Sequence, residues 1–255
     1  MIESIPESIK QASWLHRLYL TKCKSLHSLP ELPLWLHLIA DGCTSLKTVS
    51  SSRTTLTQGW SEDYRRFLLD KQLIFSNCLK LDQSERSNIM ADAQILIMRM
   101  AKLTSKWYRQ RFEWSREFIF EPSLVTLVCP ENEIPNWFSY QNEGSSINIK
   151  LPPGWYNPNL FGFAVSVVFA FDSNFHFNWH YEFGCSSTFK TNNSTQLDSA
   201  CHLCGPDWDE GRYQRGNTNS FNLDHMFVWY NAFDCMQRAK CSTSSFYNVS
   251  TEASA

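Results

Sequence analysis

The sequence predicts a mixed, mainly β fold: a short solenoid of repeated strands over residues 1–83, an amphipathic helical connector over 84–118, and an antiparallel β-sandwich over 119–255. Three observations predict it. Leucines and cysteines near the start recur with a 20-residue period. Apolar residues then fall at three- and four-residue spacing, the helical period. From about residue 119 the apolar spacing becomes two, the period of a strand whose faces differ.

The repeat reads Leu18-x-Leu20-x-x-Cys23-x-x-Leu26-x-x-Leu29, then Leu38-x-Ala40-x-x-Cys43-x-x-Leu46-x-x-Val49. A third copy, Leu73-x-Phe75-x-x-Cys78-x-x-Leu81, follows an irregular insertion at about 50–70. This is the leucine-rich-repeat pattern, in which each unit supplies one short strand and buries its leucines in a shared core. Cysteine then belongs at the turn, near neighbouring backbone groups; a thiolate role is the rival reading. Such a stack needs about three units and caps to bury its core. No cap precedes Ile5, so the chain is expected to be a piece of a longer product or a shortened one. Residues alternating with the buried leucines, namely Arg17, Tyr19, Thr21, His37, Ile39 and Asp41, are expected on the open strand face.

Between 84 and 112, Ile89, Ala93, Leu96, Met100, Leu103 and Trp107 share one helical face. Five basic residues and no acidic ones lie between Arg99 and Phe112. A solvated face explains them better than a membrane or RNA contact, because no aromatic stacking series accompanies them.

Further on, Phe175, Phe177, Trp179, Tyr181 and Phe183 alternate with polar residues as a half-buried strand. Phe161, Phe163, Val165, Val167, Phe169 and Phe171 alternate with smaller residues, which suggests a strand covered on both faces. Ser146–Leu151 and His225–Tyr230 read as further strands, and Ser245–Val249 as the start of a late one. The 18 Phe, 10 Trp and 9 Tyr supply material for a sandwich core and for interfaces.

Several function classes lose support. A net charge of −2 gives no reason to expect nucleic acid. The longest apolar run, Phe161 to Phe171, is too short for a helical membrane span. Without a secretory signal, a cytoplasmic location, or a nuclear one, is expected, with nine reduced cysteines. No two of the nine glycines lie closer than five residues apart, so no phosphate-binding glycine motif exists. G-x-S-x-G and H-E-x-x-H are absent as well. Cys201, His202 and Cys204, with Cys185 or His180, form the best zinc candidate, but a second matched pair is missing. His176 and His180 on one strand would stand roughly 13 Å apart. Asp207, Asp209 and Glu210 share one polar loop, not two walls of a cleft. No catalytic residue, metal, cofactor or small-molecule substrate is therefore assigned. The polar segment from Thr191 to Ser220, holding Trp208 and Tyr213, is a second candidate protein contact.

One stretch carries a specific resemblance: Cys129-Pro-Glu-Asn-Glu-Ile-Pro-Asn-Trp-Phe-Ser-Tyr-Gln-Asn-Glu-Gly-Ser-Ser-Ile147. It is similar to the C-terminal jelly-roll/Ig-like domain that follows the leucine-rich repeats in plant TIR-NBS-LRR disease resistance proteins. Ile149-Lys-Leu-Pro-Pro-Gly-Trp155, Phe161-Gly-Phe-Ala-Val165 and Asp224-His-Met-Phe-Val-Trp-Tyr230 extend the likeness. Within it, Cys129, Glu133, Ile134, Pro135, Trp137, Phe138, Gly144 and Trp155 identify the domain and are read as structural. Pro135 should sit at an edge or turn, and Gly144 in a turn before Ser146. The resemblance implies a non-catalytic module that recognises a pathogen effector or a host protein. It does not carry over the family's TIR or nucleotide-binding activities, whose domains this sequence lacks. A receptor remnant without activity and a sugar-binding sandwich are the alternatives. In the family the chain continues past the strand beginning at Ser245, so a missing sandwich edge is expected.

Overall fold

In the computed structural model, the repeated units form β1 (Arg17–Tyr19), β2 (Ser28–Leu29), β3 (His37–Ile39), β4 (Thr48–Val49) and β5 (Lys71–Ile74). The structure describes residues 2–12, 14–33, 36–51, 71–111, 124–150, 162–170, 176–177, 183–191, 196–203, 219–220, 223–232 and 246–254. β1, β3 and β5 run parallel, with Leu18 opposite Leu38 and Leu38 opposite Leu73. β2 and β4 form a separate parallel pair.

The turn chemistry explains the repeat. Lys22, Gly42 and Asn77, each directly before a cysteine, adopt left-handed backbone with φ of 58°, 69° and 58°. That twist aims their N–H groups along the stack: Lys22 donates to the Asp41 carbonyl and Gly42 to the Ser76 carbonyl, at 2.7 and 2.8 Å. The Cys43 thiol donates to the Leu20 carbonyl at 3.0 Å and the Cys78 thiol to the Ala40 carbonyl at 3.1 Å. Cysteine is thus a small buried donor that joins one unit to the unit before it. Leu20, Leu26, Leu29, Leu38, Leu46, Phe75 and Leu81 are all buried in one cluster.

Helix α1 (Gln83–Arg111) covers that cluster. Its start is set by Asp82, whose Oδ1 accepts the Glu85 N–H at 2.9 Å and the Ser84 hydroxyl at 2.7 Å. These bonds, the Ser84 hydroxyl first, hold the Asp82 carboxyl below its usual range. The predicted face is the buried one: Ile89, Ala93, Leu96 and Met100 lie in the core, joined by Met90 and Ile97, with Leu103 partly buried. The first turns also tie the helix to its neighbours. Glu85 accepts the Val49 N–H at 3.0 Å, Asp92 accepts the Ser51 hydroxyl at 2.8 Å, and Arg86 donates to the Pro130 carbonyl at 3.0 Å.

The remaining strands are β6 (Leu124–Pro130), β7 (Ser146–Lys150), β8 (Gly162–Phe169), β9 (His176–Phe177), β10 (Phe183–Thr191), β11 (Gln196–Leu203), β12 (Asn219–Ser220), β13 (His225–Ala232) and β14 (Phe246–Ser254). Six strands form one sheet in the order β1-β3-β5-β6-β13-β8, and four form another in the order β11-β10-β14-β7. β6 pairs parallel to β5, whereas β13 is antiparallel to both β6 and β8. The larger sheet is therefore mixed: β6, β13 and β8 are antiparallel as expected for 119–255, but they continue the parallel repeat strands instead of forming a separate sandwich. A parallel pairing needs a crossover between its strands, and α1 lies in that connection. The repeat strands and the first C-terminal strands share one continuous ladder: Leu20 N–H donates to Ile39 O, Ala40 N–H to Ile74 O and Phe75 N–H to Val128 O.

Three further expectations meet the structure as follows. Of the strand expected over 175–183, only His176–Phe177 and Phe183, the first residue of β10, are described. The polar segment 191–220 is not one loop, because Gln196–Leu203 pairs with β10 as β11. The late strand expected from Ser245 is present as β14, which lies inside its sheet between β10 and β7.

Candidate functional site

The predicted strand face divides sharply. Tyr19, Ile39, Ile74, Val128 and Phe227 are successive cross-strand partners along it. Their exposures run 39%, 3%, 9%, 1% and 0%. The face is open at β1 and closed over Ile39, Ile74, Val128 and Phe227. Arg17 and Tyr19 are exposed; His37 and Thr21 are half-buried. The Tyr19 and His37 rings lie 6.0 Å apart and tilted by 45°, so strand pairing brings three of the predicted residues, Arg17, Tyr19 and His37, into one cluster.

Ile39 and Asp41 do not belong to that surface. Ile39 is buried, and Asp41 at 5% exposure is too. Alternation predicted the face correctly but not that it is covered there. Asp41 works as a tie between turns: it accepts the Ser76 hydroxyl at 2.7 Å and the Asn77 side-chain amide at 3.4 Å. Burial pushes its carboxyl above the usual range, against those two hydrogen bonds and the Lys22 charge.

A residue that the motifs did not single out completes this polar corner. The N–H of Asn77, third in the series after Lys22 and Gly42, donates to Nε2 of His225 at 3.0 Å. His225 Nδ1 lies 2.7 Å from the Leu223 carbonyl. The carbonyl can only accept, so Nδ1 carries the proton and Nε2 is free to accept. An imidazole from β13 thus takes the place that a carbonyl of the next unit fills at the two earlier turns. Its burial drives the pKa down to about 4, despite the Leu223 hydrogen bond and the Asp224 charge. No sequence pattern marks a partner 148 residues away.

Two of the cysteines, Cys78 and Cys129, offer little to reactive chemistry. Contact with the Cys43 sulfur first, and burial second, push the Cys78 thiol far up. Burial pushes Cys129 to about 12. Thiols held protonated are poor nucleophiles. Site-resolved alkylation in native buffer should leave Cys78 and Cys129 unmodified until the chain unfolds. Adducts forming on them as fast as in denaturant would contradict this packing.

The other predicted residues are placed as follows. Cys129 is buried at the end of β6, and Glu133 is exposed. Ile134, Pro135, Trp137 and Phe138 are half-buried. Phe138 N–H closes a turn on the Pro135 carbonyl at 3.1 Å, and the Trp137 and Phe138 rings stack at 4.0 Å against the core. Gly144 has a φ of 109°, as its turn before β7 requires. Cys185 and Cys201 are register partners on β10 and β11. Trp155, Trp208, Tyr213, His180, Cys204, Asp207, Asp209 and Glu210 lie outside the described residues. Among the described residues no group of three or more His, Cys, Asp or Glu could hold a metal ion. Among them, too, no helix is long and apolar enough to cross a membrane.

Residues 129–253 match the C-JID domain. The chain is 34% identical over 91% of its length to the disease resistance-like protein DSC1 of Arabidopsis thaliana, covering 18% of that protein. It is 33% identical over 83% of its length to the disease resistance protein RPP2B of the same plant, covering 16% of it. To RPS4, another disease resistance protein of Arabidopsis thaliana, it is 30% identical over 94% of its length, covering 18%. The chain thus spans under a fifth of the length of the curated relatives it matches. A domain match over the β6–β14 region, and similarity that also takes in the repeats and α1, make this chain a C-JID-bearing member of the plant disease resistance protein family.

Proposed function

We propose that the chain is the recognition end of a plant intracellular immune receptor. In this reading a few leucine-rich repeats and the β-sandwich of the C-JID domain together hold a surface for a pathogen effector or a host protein. The nucleotide-binding and TIR parts of such a receptor would lie outside this sequence, and the whole would work in the cytoplasm or nucleus. One observation carries the proposal. Arg17, Tyr19 and His37 stand together, with Arg17 and Tyr19 exposed, on a strand face that is closed from Ile39 onward to Phe227. Arginine and tyrosine are the residue types that dominate binding energy at protein interfaces. Rigid strands hold them without the ordering cost of a loop. Thr21 borders the group, and Trp208 and Tyr213 are a second proposed contact.

The test is calorimetric titration of the chain against a panel of pathogen effectors, followed by Arg17→Ala with Tyr19→Ala. We expect the double variant to weaken an observed complex at least about thirtyfold, the effect of losing roughly 2 kcal/mol. Unchanged affinity, with the fold intact by circular dichroism, would remove the strand face from the interface. Trp208→Ala with Tyr213→Ala tests the second contact separately.

A further inference from the structure

The β7 rim of the four-stranded sheet, which among the described residues has no further strand beside it, has the makings of a second recognition site. β7 ends that sheet and, among the described residues, pairs only with β14. On a terminal antiparallel strand every second residue turns its N–H and C=O away from its single neighbour. Beside β7 lies an open groove of about 400 Å³, lined by Ser139, Tyr140, Gln141 and Asn142 on one wall and Ile147, Asn148 and Ile149 on the other.

The far wall is fixed in place. Gln141 donates its side-chain amide to the Pro135 and Phe138 carbonyls, both at 3.3 Å, which anchors it to the packed Trp137–Phe138 turn. Asn142 donates to the Ser146 carbonyl at 2.8 Å and so ties the wall to the first residue of β7. Gly144 makes the reversal between wall and strand possible. Natural sheets usually blunt such rims with short strands, lysine, proline, bulges or cover, and of these β7 has its shortness and Lys150. β7 has no proline, and its pairing with β14 runs without a register shift.

We propose that this groove binds an extended peptide segment of another protein by strand addition to β7. The backbone groups of the rim specify an extended chain, since only another strand satisfies them in series. The side chains specify more. Ser146, Asn148 and Lys150 are exposed, while Ile147 and Ile149 are half-buried. Cross-strand pairing favours a segment with apolar residues opposite the two isoleucines and an acidic residue opposite Lys150. A second copy of this chain fits less well, because it would bring its own Ser139–Asn142 wall with its own rim. The proposal does not depend on the β1–β3 surface, so either can fail alone.

The test selects peptides from a displayed library of linear random sequences against the full chain. Binders are then measured by calorimetry and by amide hydrogen exchange over residues 146–150. We expect proline-free binders with alternating apolar residues, and new protection of β7 amides on binding. Asn148→Pro and Ile149→Pro supply the control, because one of these adjacent N–H groups faces β14 and the other faces the groove. The variant that keeps the wild-type melting curve should bind at least about tenfold more weakly. Should both variants unfold, the exchange result decides. Four outcomes overturn the proposal: no peptide is selected, binders protect residues other than β7, the outward proline leaves affinity unchanged, or the free chain dimerises through β7 in sedimentation.

Discussion

Replacing His225 by phenylalanine should lower unfolding stability by about 2–3 kcal/mol, because the buried Asn77 N–H and the part-buried Leu223 carbonyl lose their partner. The Asn77 N–H and the Leu223 carbonyl both depend on this ring. His225→Gln, whose side-chain oxygen can accept from Asn77, should recover part of the loss. Acid gives an independent test. The folded pKa of about 4 lies below the unfolded value near 6.5, so folding favours the neutral ring. The ring's contribution is therefore complete above about pH 6.5, declines as pH falls, and is gone below about pH 4. The corresponding loss is about 3 kcal/mol. Urea titrations from pH 7.5 to 4 should show the decline in the natural chain, and His225→Phe should remove that portion of the slope. Equal slopes in both would mean that the imidazole is not the buried acceptor described here.

Trp229→Ala should cost about 4 kcal/mol, the usual loss for deleting a buried aromatic ring. Trp229 is fully buried on β13, between β6 and β8, and stacks on Phe227 at 5.7 Å. Phe227 meets Phe169 edge to face at 5.2 Å, so the cavity would open in an aromatic cluster at the centre of the C-terminal half of the sheet. Trp229→Phe should cost much less. Among the described residues the buried indole N–H has no hydrogen-bond partner, and phenylalanine removes that group while keeping most of the ring. Thermal unfolding of the two variants checks the order. A phenylalanine variant as damaged as the alanine one would point to an essential indole hydrogen bond.

The legible parts of this chain were those with local signals. Leu20, Leu38 and Leu46 announce buried positions by their spacing, and Ile89, Ala93, Leu96 and Met100 announce the inner face of α1 in the same way. Pro135 and Gly144 mark turns because backbone geometry at those points suits few other residues. Long-range pairing carried no comparable mark. Nothing local joins β5 to β6, whose residues Ile74 and Val128 are distant in sequence yet adjacent in the sheet. The same blindness hid the covering of Ile39 and Asp41. Alternation tells which side chains share a face, but what lies over that face depends on tertiary packing. β11 escaped notice because Gln196, Asp198, Ser199 and His202 make it polar, and polar runs read as loops. His225 stood inside a recognised strand motif, yet its pairing with Asn77 follows only from the folded register.

The proposed work of this chain is the presentation of a surface. The most direct measurement transplants this chain in place of the matching C-terminal part of a full-length relative such as RPS4. The chimera and its parent are then expressed in leaf tissue with a panel of pathogen effectors, and cell death is scored. The expected result is that the set of effectors triggering a response changes with the transplant, and that Arg17→Ala with Tyr19→Ala abolishes the new responses while the chimera still accumulates. A chimera that accumulates normally and responds to the parent's effectors, unchanged by that double substitution, would contradict a recognition role for this chain.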